Sequence, residues 1–143
     1  MKILLDNNII IDWLAQRPEF YEDALKIVQL AYDRKAIECV TASSMTDMYF
    51  VLKKEAKQGV DIQDALKQML TLITVLPVTA QDINNALELN WSDFEDAVQY
   101  SVAVSNEVDF IISRDSRFTN KPDLDIPLMD PVSFLDYLET TTI

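Results

Sequence analysis

The sequence predicts an α/β fold, a central parallel sheet of about four to five strands flanked by helices. Three observations carry this. Short apolar runs alternate with longer stretches of helical period, the pattern of β/α units. The opening run, Lys2 to Leu5, reads as a short buried strand. That run and a second one ending in Ser113-Arg114 are each followed by an aspartate, Asp6 and Asp115. Residues just past the carboxyl ends of parallel strands converge on one crevice, where α/β proteins place their sites.

The elements follow in order. After the first strand, a helix begins near Asn8 with Ile9, Ile10, Trp13 and Leu14 on its buried side, and Arg17-Pro18-Glu19 breaks it. The spacing of Ala24, Leu25, Ile27, Val28 and Ala31 predicts a second helix over 21–34. Ile37 to Thr41 forms the second strand. Ser43 or Ser44 caps the next helix, which runs through Met48 and Leu52 to about Gln58, where Gly59 supplies a stop. Asp61 opens a helix that carries Leu66, Met69, Leu70 and Ile73, and Val75 to Val78 forms a short strand. Thr79 caps a helix over 80–89, and Ser92 or Asp93 caps the one that includes Ala97, Val98 and Val104. Asp109 to Ile112 is the fourth strand, residues 116–124 a polar loop, and Ile126 to Met129 the last strand. Pro131 suits the first turn of a final helix to Leu138, beyond which the tail frays.

At 143 residues and 49% hydrophobic content, one domain spanning 1–143 is expected. No apolar run is long enough for a membrane span, and the start meets an acid too soon for a signal-peptide core, so a cytoplasmic protein is expected. Cys39, the single cysteine, reads as a small buried side chain. The absence of histidine excludes Ser-His-Asp and Cys-His nucleophile systems and histidine-ligated zinc. One glycine, Gly59, excludes glycine-rich phosphate loops. The net charge of −12 argues against a broad phosphate-binding surface, although Lys53, Lys54 and Lys57 cluster on one helix and Arg114, Arg117 and Lys121 surround Asp115.

Chemistry must then run on carboxylates, amides and hydroxyls. Asp6, Asp47, Asp96 and Asp115 are candidate metal ligands and catalytic residues, because gathered carboxylates repel unless a hard cation neutralises them. Asp47 sits between core positions of its helix, where an unpaired aspartate is costly unless it faces a pocket. Asp96 precedes the apolar pair Ala97-Val98 and points inward. Asp93 and Glu95 are adequately explained as cap and first-turn acid, with Asp93 kept as a supporting candidate. Asn8 either caps its helix or supports the site, and Ser113 is placed to hydrogen-bond a ligand water or phosphate oxygen. Lys54, on the face of Asp47, and Arg114 are candidate substrate contacts. Asp12 is expected to face solvent.

With these residues in hand, the chain resembles the PIN-domain ribonucleases, including the VapC-like toxins of bacterial toxin–antitoxin pairs. Four segments carry the likeness: Ile3-Leu4-Leu5-Asp6-Asn7-Asn8-Ile9-Ile10, Thr46-Asp47-Met48-Tyr49, Asp93-Phe94-Glu95-Asp96-Ala97 and Ile111-Ile112-Ser113-Arg114-Asp115. The sequence departs from the family pattern at Asn7, where serine or threonine is frequent, and at Asp47, where glutamate is common. The resemblance implies a PIN-like three-layer α/β/α arrangement and cleavage of RNA dependent on Mg2+ or Mn2+. It also implies a small antitoxin partner covering the pocket with an arginine or lysine among the carboxylates. A homodimer would use the abundant apolar and aromatic residues, among them Trp13, Phe20, Tyr21, Tyr49 and Phe50. The competing reading is a catalytically degenerate PIN-like domain acting as a protein-interaction module. A phosphoacceptor domain lacks its lysine here, and Asp6-Asn7-Asn8 lacks the second acid of an aspartyl phosphatase.

Overall fold

A computed structural model describes residues 1–141. Among them, eight helices and five strands run in the order β1 (Lys2–Leu5), α1 (Asn7–Leu14), α2 (Tyr21–Tyr32), β2 (Ile37–Thr41), α3 (Ala42–Glu55), α4 (Ile62–Met69), β3 (Ile73–Leu76), α5 (Ala80–Leu89), α6 (Phe94–Ser105), β4 (Phe110–Ile112), α7 (Ser116–Thr119), β5 (Leu128–Met129) and α8 (Pro131–Thr141). The strands form one sheet of order β3-β2-β1-β4-β5, every neighbouring pair parallel. The expected α/β class, with a parallel sheet between helical layers, is what the chain adopts.

Alternation along each strand divides the core in two, because successive side chains point to opposite faces. Ile3, Leu5, Val40 and Ile112 pack on one face against Ile9, Ile10, Ile27, Met48, Met69 and Phe134, which come from α1, α2, α3, α4 and α8. Leu4, Cys39 and Ile111 pack on the other against Ala86, Ala97, Val102 and Phe118 from α5, α6 and α7. The sheet is thus covered on both sides, as a parallel sheet requires.

β1 lies at the centre, pairing Leu4 with Cys39 on one side and with Ile111 on the other. Asp6 donates its N–H to Ile112 O at 2.9 Å, which carries the β1–β4 ladder one residue beyond the strand. The carboxyl ends of β1 and β4 therefore open side by side, and the residues that follow them meet. Across that opening runs the start of α6. Its far end is tied to α5: Thr79 and Asp82 form a reciprocal capping box, and Ser105 Oγ donates to Asp82 Oδ1 at 2.8 Å.

Several local expectations are corrected. Thr41, not a serine, caps α3 by accepting from Ser44 N–H, and the helix ends at Glu55. Gly59 sits beyond it at φ +90°, a backbone that glycine adopts freely. Ile73 belongs to β3 rather than to α4, because the β-branched run Ile73-Thr74-Val75 favours strand geometry, and Pro77 ends it by lacking an N–H for the ladder. The expected polar loop contains the short helix α7, anchored by fully buried Phe118 edge-on to Trp91 at 6.1 Å. Burying one phenylalanine contributes about 1.5–3 kcal/mol, enough to fix a single turn. α8 continues to Thr141, so most of the tail expected to fray is helical; Thr142 and Ile143 lie outside the described residues.

Asp12 is the clearest reversal. It is 1% exposed because Ile9, Ile10, Ile11 and Asp12 are all buried on α1. Its charge is matched by Arg17, at 3.1 Å, and by a two-point contact with Arg114 at 2.7 and 3.0 Å. Among the described residues no helix is long and apolar enough to cross a membrane.

Candidate functional site

Asp6 ends β1 and precedes α1, and its side chain is held from three elements. Ser113 Oγ donates to Oδ2 at 2.7 Å, Asn8 Nδ2 to Oδ2 at 3.0 Å, and Gln99 Nε2 to Oδ1 at 3.1 Å. Burial raises its pKa from the ordinary value, opposed by the bonds from Ser113 and Gln99. Ser113 also accepts Asp115 N–H at 3.0 Å, so one hydroxyl links the acids that follow β1 and β4. That hydroxyl is fully buried and engaged, and it does not reach toward water or phosphate as expected. Asn8 faces inward as well, its Oδ1 accepting Arg114 N–H at 3.4 Å.

Helix α6 brings the next acids. Asp93 is its N-cap, accepting Asp96 N–H at 3.1 Å, and this fixes Asp96 one turn into the pocket. Among the described residues, Asp93, Asp96 and Asp115 each offer a carboxylate oxygen within 4.8 Å of the others. Asp96 is 5% exposed, and its Oδ2 is buried without a hydrogen-bond partner. An unsatisfied buried carboxylate oxygen costs free energy unless something binds it. Burial, and then the charges of Asp93, Asp6, Asp115 and Glu95, push the Asp96 carboxyl up to about 7. Asp115 goes the other way: although burial opposes it, Arg117 holds its carboxyl below the usual range.

Glu95, set aside in the sequence as a first-turn acid, belongs to the centre. Asn7 Nδ2 donates to its Oε1 at 3.2 Å, and its carboxyl shares a hydrogen bond with Asp47. Burial, followed by the charges of Asp47 and Asp6, raises Glu95 to about 7. Two carboxyls that share a hydrogen bond need a proton or a cation between them. Asp47 thereby reaches the site from α3, but as an exposed residue at its rim and outside the close group of three oxygens. Asp6 likewise stands beside that group. Gln99 was also missed; the structure buries it fully, and the one signal in the sequence is a polar residue set inside the apolar stretch Ala97-Val98-Gln99-Tyr100.

The two substrate-contact candidates fare worse. The side chain of Arg114 is committed to Asp12 and lies over the Phe20 ring at 3.8 Å. Lys54 is exposed in the last turn of α3, two turns and about 10 Å along the axis from Asp47.

The donor set is all oxygen, rich in carboxylate and partly solvated at Asp93 and Asp115. It suits a hard divalent ion with water completing its shell, and the orphaned Asp96 Oδ2 is a ligand atom in need of a partner.

A family model described as PIN domain matches residues 2–117. Ribonuclease VapC1 of Aquifex aeolicus (strain VF5) is 25% identical over 130 residues, covering 87% of this chain and 88% of that protein. Among solved structures, VapBC2 from Rickettsia felis bound to a DNA fragment from their promoter superposes with a TM-score of 0.68 at 17% identity, over 91% of this chain and 98% of that one. Mycobacterium tuberculosis VapC20, a Sarcin-Ricin loop cleaving toxin, gives 0.68 at 14% identity, over 87% and 98%. At these identities the structural likeness is one of fold.

Proposed function

Since the chain belongs to the PIN-domain family, we propose that it is a divalent-metal-dependent endoribonuclease using Mg2+ or Mn2+, and the toxin of a toxin–antitoxin pair. The observation that carries this reading is the convergence of Asp93, Asp96 and Asp115 at the open end of the β1–β4 pair, with a buried ligand atom left unsatisfied. The related chain named as a ribonuclease and the neighbours named as toxins support the choice of RNA as substrate. Neighbours solved as VapBC2 and as a toxin–antitoxin complex from Klebsiella pneumoniae support a small antitoxin partner.

Asp93, Asp96 and Asp115 would hold the ion. When bound, it polarises the scissile phosphate and lowers the pKa of a coordinated water. Asp6, held from three elements, supports the group electrostatically and fixes the β1–β4 opening through Ser113. Glu95, which titrates near neutrality and shares a hydrogen bond with Asp47, has the strength suited to moving a proton at its carboxyl during cleavage. A self-associated form would use the exposed Phe50 and its neighbour Tyr49.

The test combines thermal melting with and without manganese and cleavage of single-stranded RNA, on the native chain and on Asp96→Asn. A ligand that binds only the folded state raises its stability. The reading expects a manganese-dependent rise and RNA cleavage in the native chain, both lost in the variant. No rise in the native chain would overturn the metal centre and favour an interaction module.

A further inference from the structure

Arg117 follows Asp115 by two residues, in α7, with a side chain that is 81% exposed. Its guanidinium donates through Nε to Asp115 Oδ1 and through Nη2 to Oδ2, each at 3.3 Å, and it feels the charges of Asp93 and Asp96. A cation thus lies against one of the three close acids, with most of its surface in water. The other basic side chains near Asp115 are occupied differently. Arg114 is clamped to buried Asp12, and Lys121 Nζ sits 5.0 Å over the Trp91 ring.

We propose that Arg117 is the side chain that grips the substrate phosphate at the acid centre, resting on Asp115 until a divalent ion takes that carboxylate. This rests on the nuclease reading above. A chain of net charge −12 repels a polyanion, most of all at its cluster of acids, so binding needs a local positive group. Arginine meets that need with a planar fork that matches a phosphate through two hydrogen bonds. The release is easy, because a solvent-exposed ion pair contributes little net stability. Nothing comparable holds for Arg114, whose partner would be left charged and buried. The same contact makes Arg117 a competitor of the ion for Asp115.

The experiment compares the native chain, Arg117→Ala and Arg117→Lys in two arms. In the first, binding of a short fluorescein-labelled single-stranded RNA is followed by anisotropy across a salt series, with calcium in place of magnesium to slow turnover. Loss of one phosphate contact lowers the slope of log affinity against log salt by about 0.7 for a single strand, and the lysine variant, which keeps the charge, restores most of it. In the second arm, manganese is titrated against melting temperature without RNA. Removing the competing cation moves the midpoint to lower manganese, several-fold for alanine, whereas a merely structural arginine would move it upward. RNA binding with an unchanged salt slope would overturn the role of Arg117 and leave the nuclease reading intact. No RNA binding by the native chain would overturn both, and the manganese arm would still report whether the acids bind metal.

Discussion

Gln99 Nε2 donates to Asp6 Oδ1 at 3.1 Å while its own Oε1 remains buried and unpaired. One amide thus steadies the acid at the end of β1 and carries an unsatisfied acceptor of its own. Gln99→Leu relieves the amide's own orphan but strands Asp6 Oδ1, a buried carboxylate oxygen that loses this donor, so a net loss of about 1–3 kcal/mol is expected. Cleavage should fall roughly tenfold or more, since Asp6 loses its orienter. A melting curve and an RNA cleavage rate on one preparation test this; a native cleavage rate from the folded variant would make Gln99 structural.

Asp6→Asn is expected to abolish cleavage while leaving the fold intact. The amide keeps the shape, but its NH2 must face one of the donors from Ser113, Asn8 or Gln99, so a loss of about 1–2 kcal/mol is expected. Far-UV circular dichroism with cleavage assays decides the matter, and native activity in this variant would refute the assignment.

The acid centre should bind metal more tightly as pH rises. Asp96 holds its proton up to about 7, so below that value the ion must displace a proton and its apparent affinity gains about tenfold per pH unit, levelling above it. The sign for folding is opposite. A carboxyl raised in the folded state lends the ion-free protein stability at low pH that is lost between its unfolded value near 4 and about 7. Melting temperatures across this range, with and without manganese, should therefore diverge as pH increases.

Glu38 offers a test away from the site. It pairs in register with Ile3 and Ile73, is 1% exposed, and both its carboxylate oxygens lack partners. Burial alone pushes it from 4.5 up to about 8, so it is neutral in the folded chain at pH 7 and ionised in the unfolded one. The difference costs about 3 kcal/mol at that pH. Glu38→Leu should raise the melting temperature at neutral pH and flatten the decline in stability between about 4.5 and 8. A lower melting temperature at pH 8 would mean that the carboxyl has a partner.

Arg114→Ala should weaken folding rather than RNA binding. It leaves Asp12 buried with Arg17 alone, at a cost of roughly 2 kcal/mol, less than for a fully dry pair because Arg114 is 27% exposed. Urea unfolding gives the first quantity. The salt dependence of RNA binding, expected to stay native, gives the second.

What could be read from the sequence was whatever local chemistry determines. The runs Lys2–Leu5 and Ile37–Thr41 announced their strands, Thr79 its cap, and Asp6 and Asp115 their positions past strand ends, while the cap of α6 was narrowed to Ser92 or Asp93 and proves to be Asp93. What escaped depends on distant partners. Asp12 was expected in solvent because nothing nearby foretells that Arg114, far along the chain, comes to meet it. Glu95 was given to the helix dipole, and only the approach of Asp47 on α3 and Asn7 on α1 reveals its other role. The β3 boundary slipped because Ile73 fits a helical apolar face as well as a strand, and only pairing with β2 decides between them.

The central place of β1 has a consequence in time. Ser113 must reach Asp6 across 107 residues, and no shorter stretch of chain supplies that bond. Contacts so remote in sequence form late and slowly. During synthesis the chain would carry Asp6 for on the order of 5–20 s before Ser113 is made. A nascent chain that has not yet grown past Ser113 therefore carries Asp6, Asp93 and Asp96 without the hydroxyl and the fourth acid that complete their assembly, and the centre comes into being only when that late segment docks beside β1.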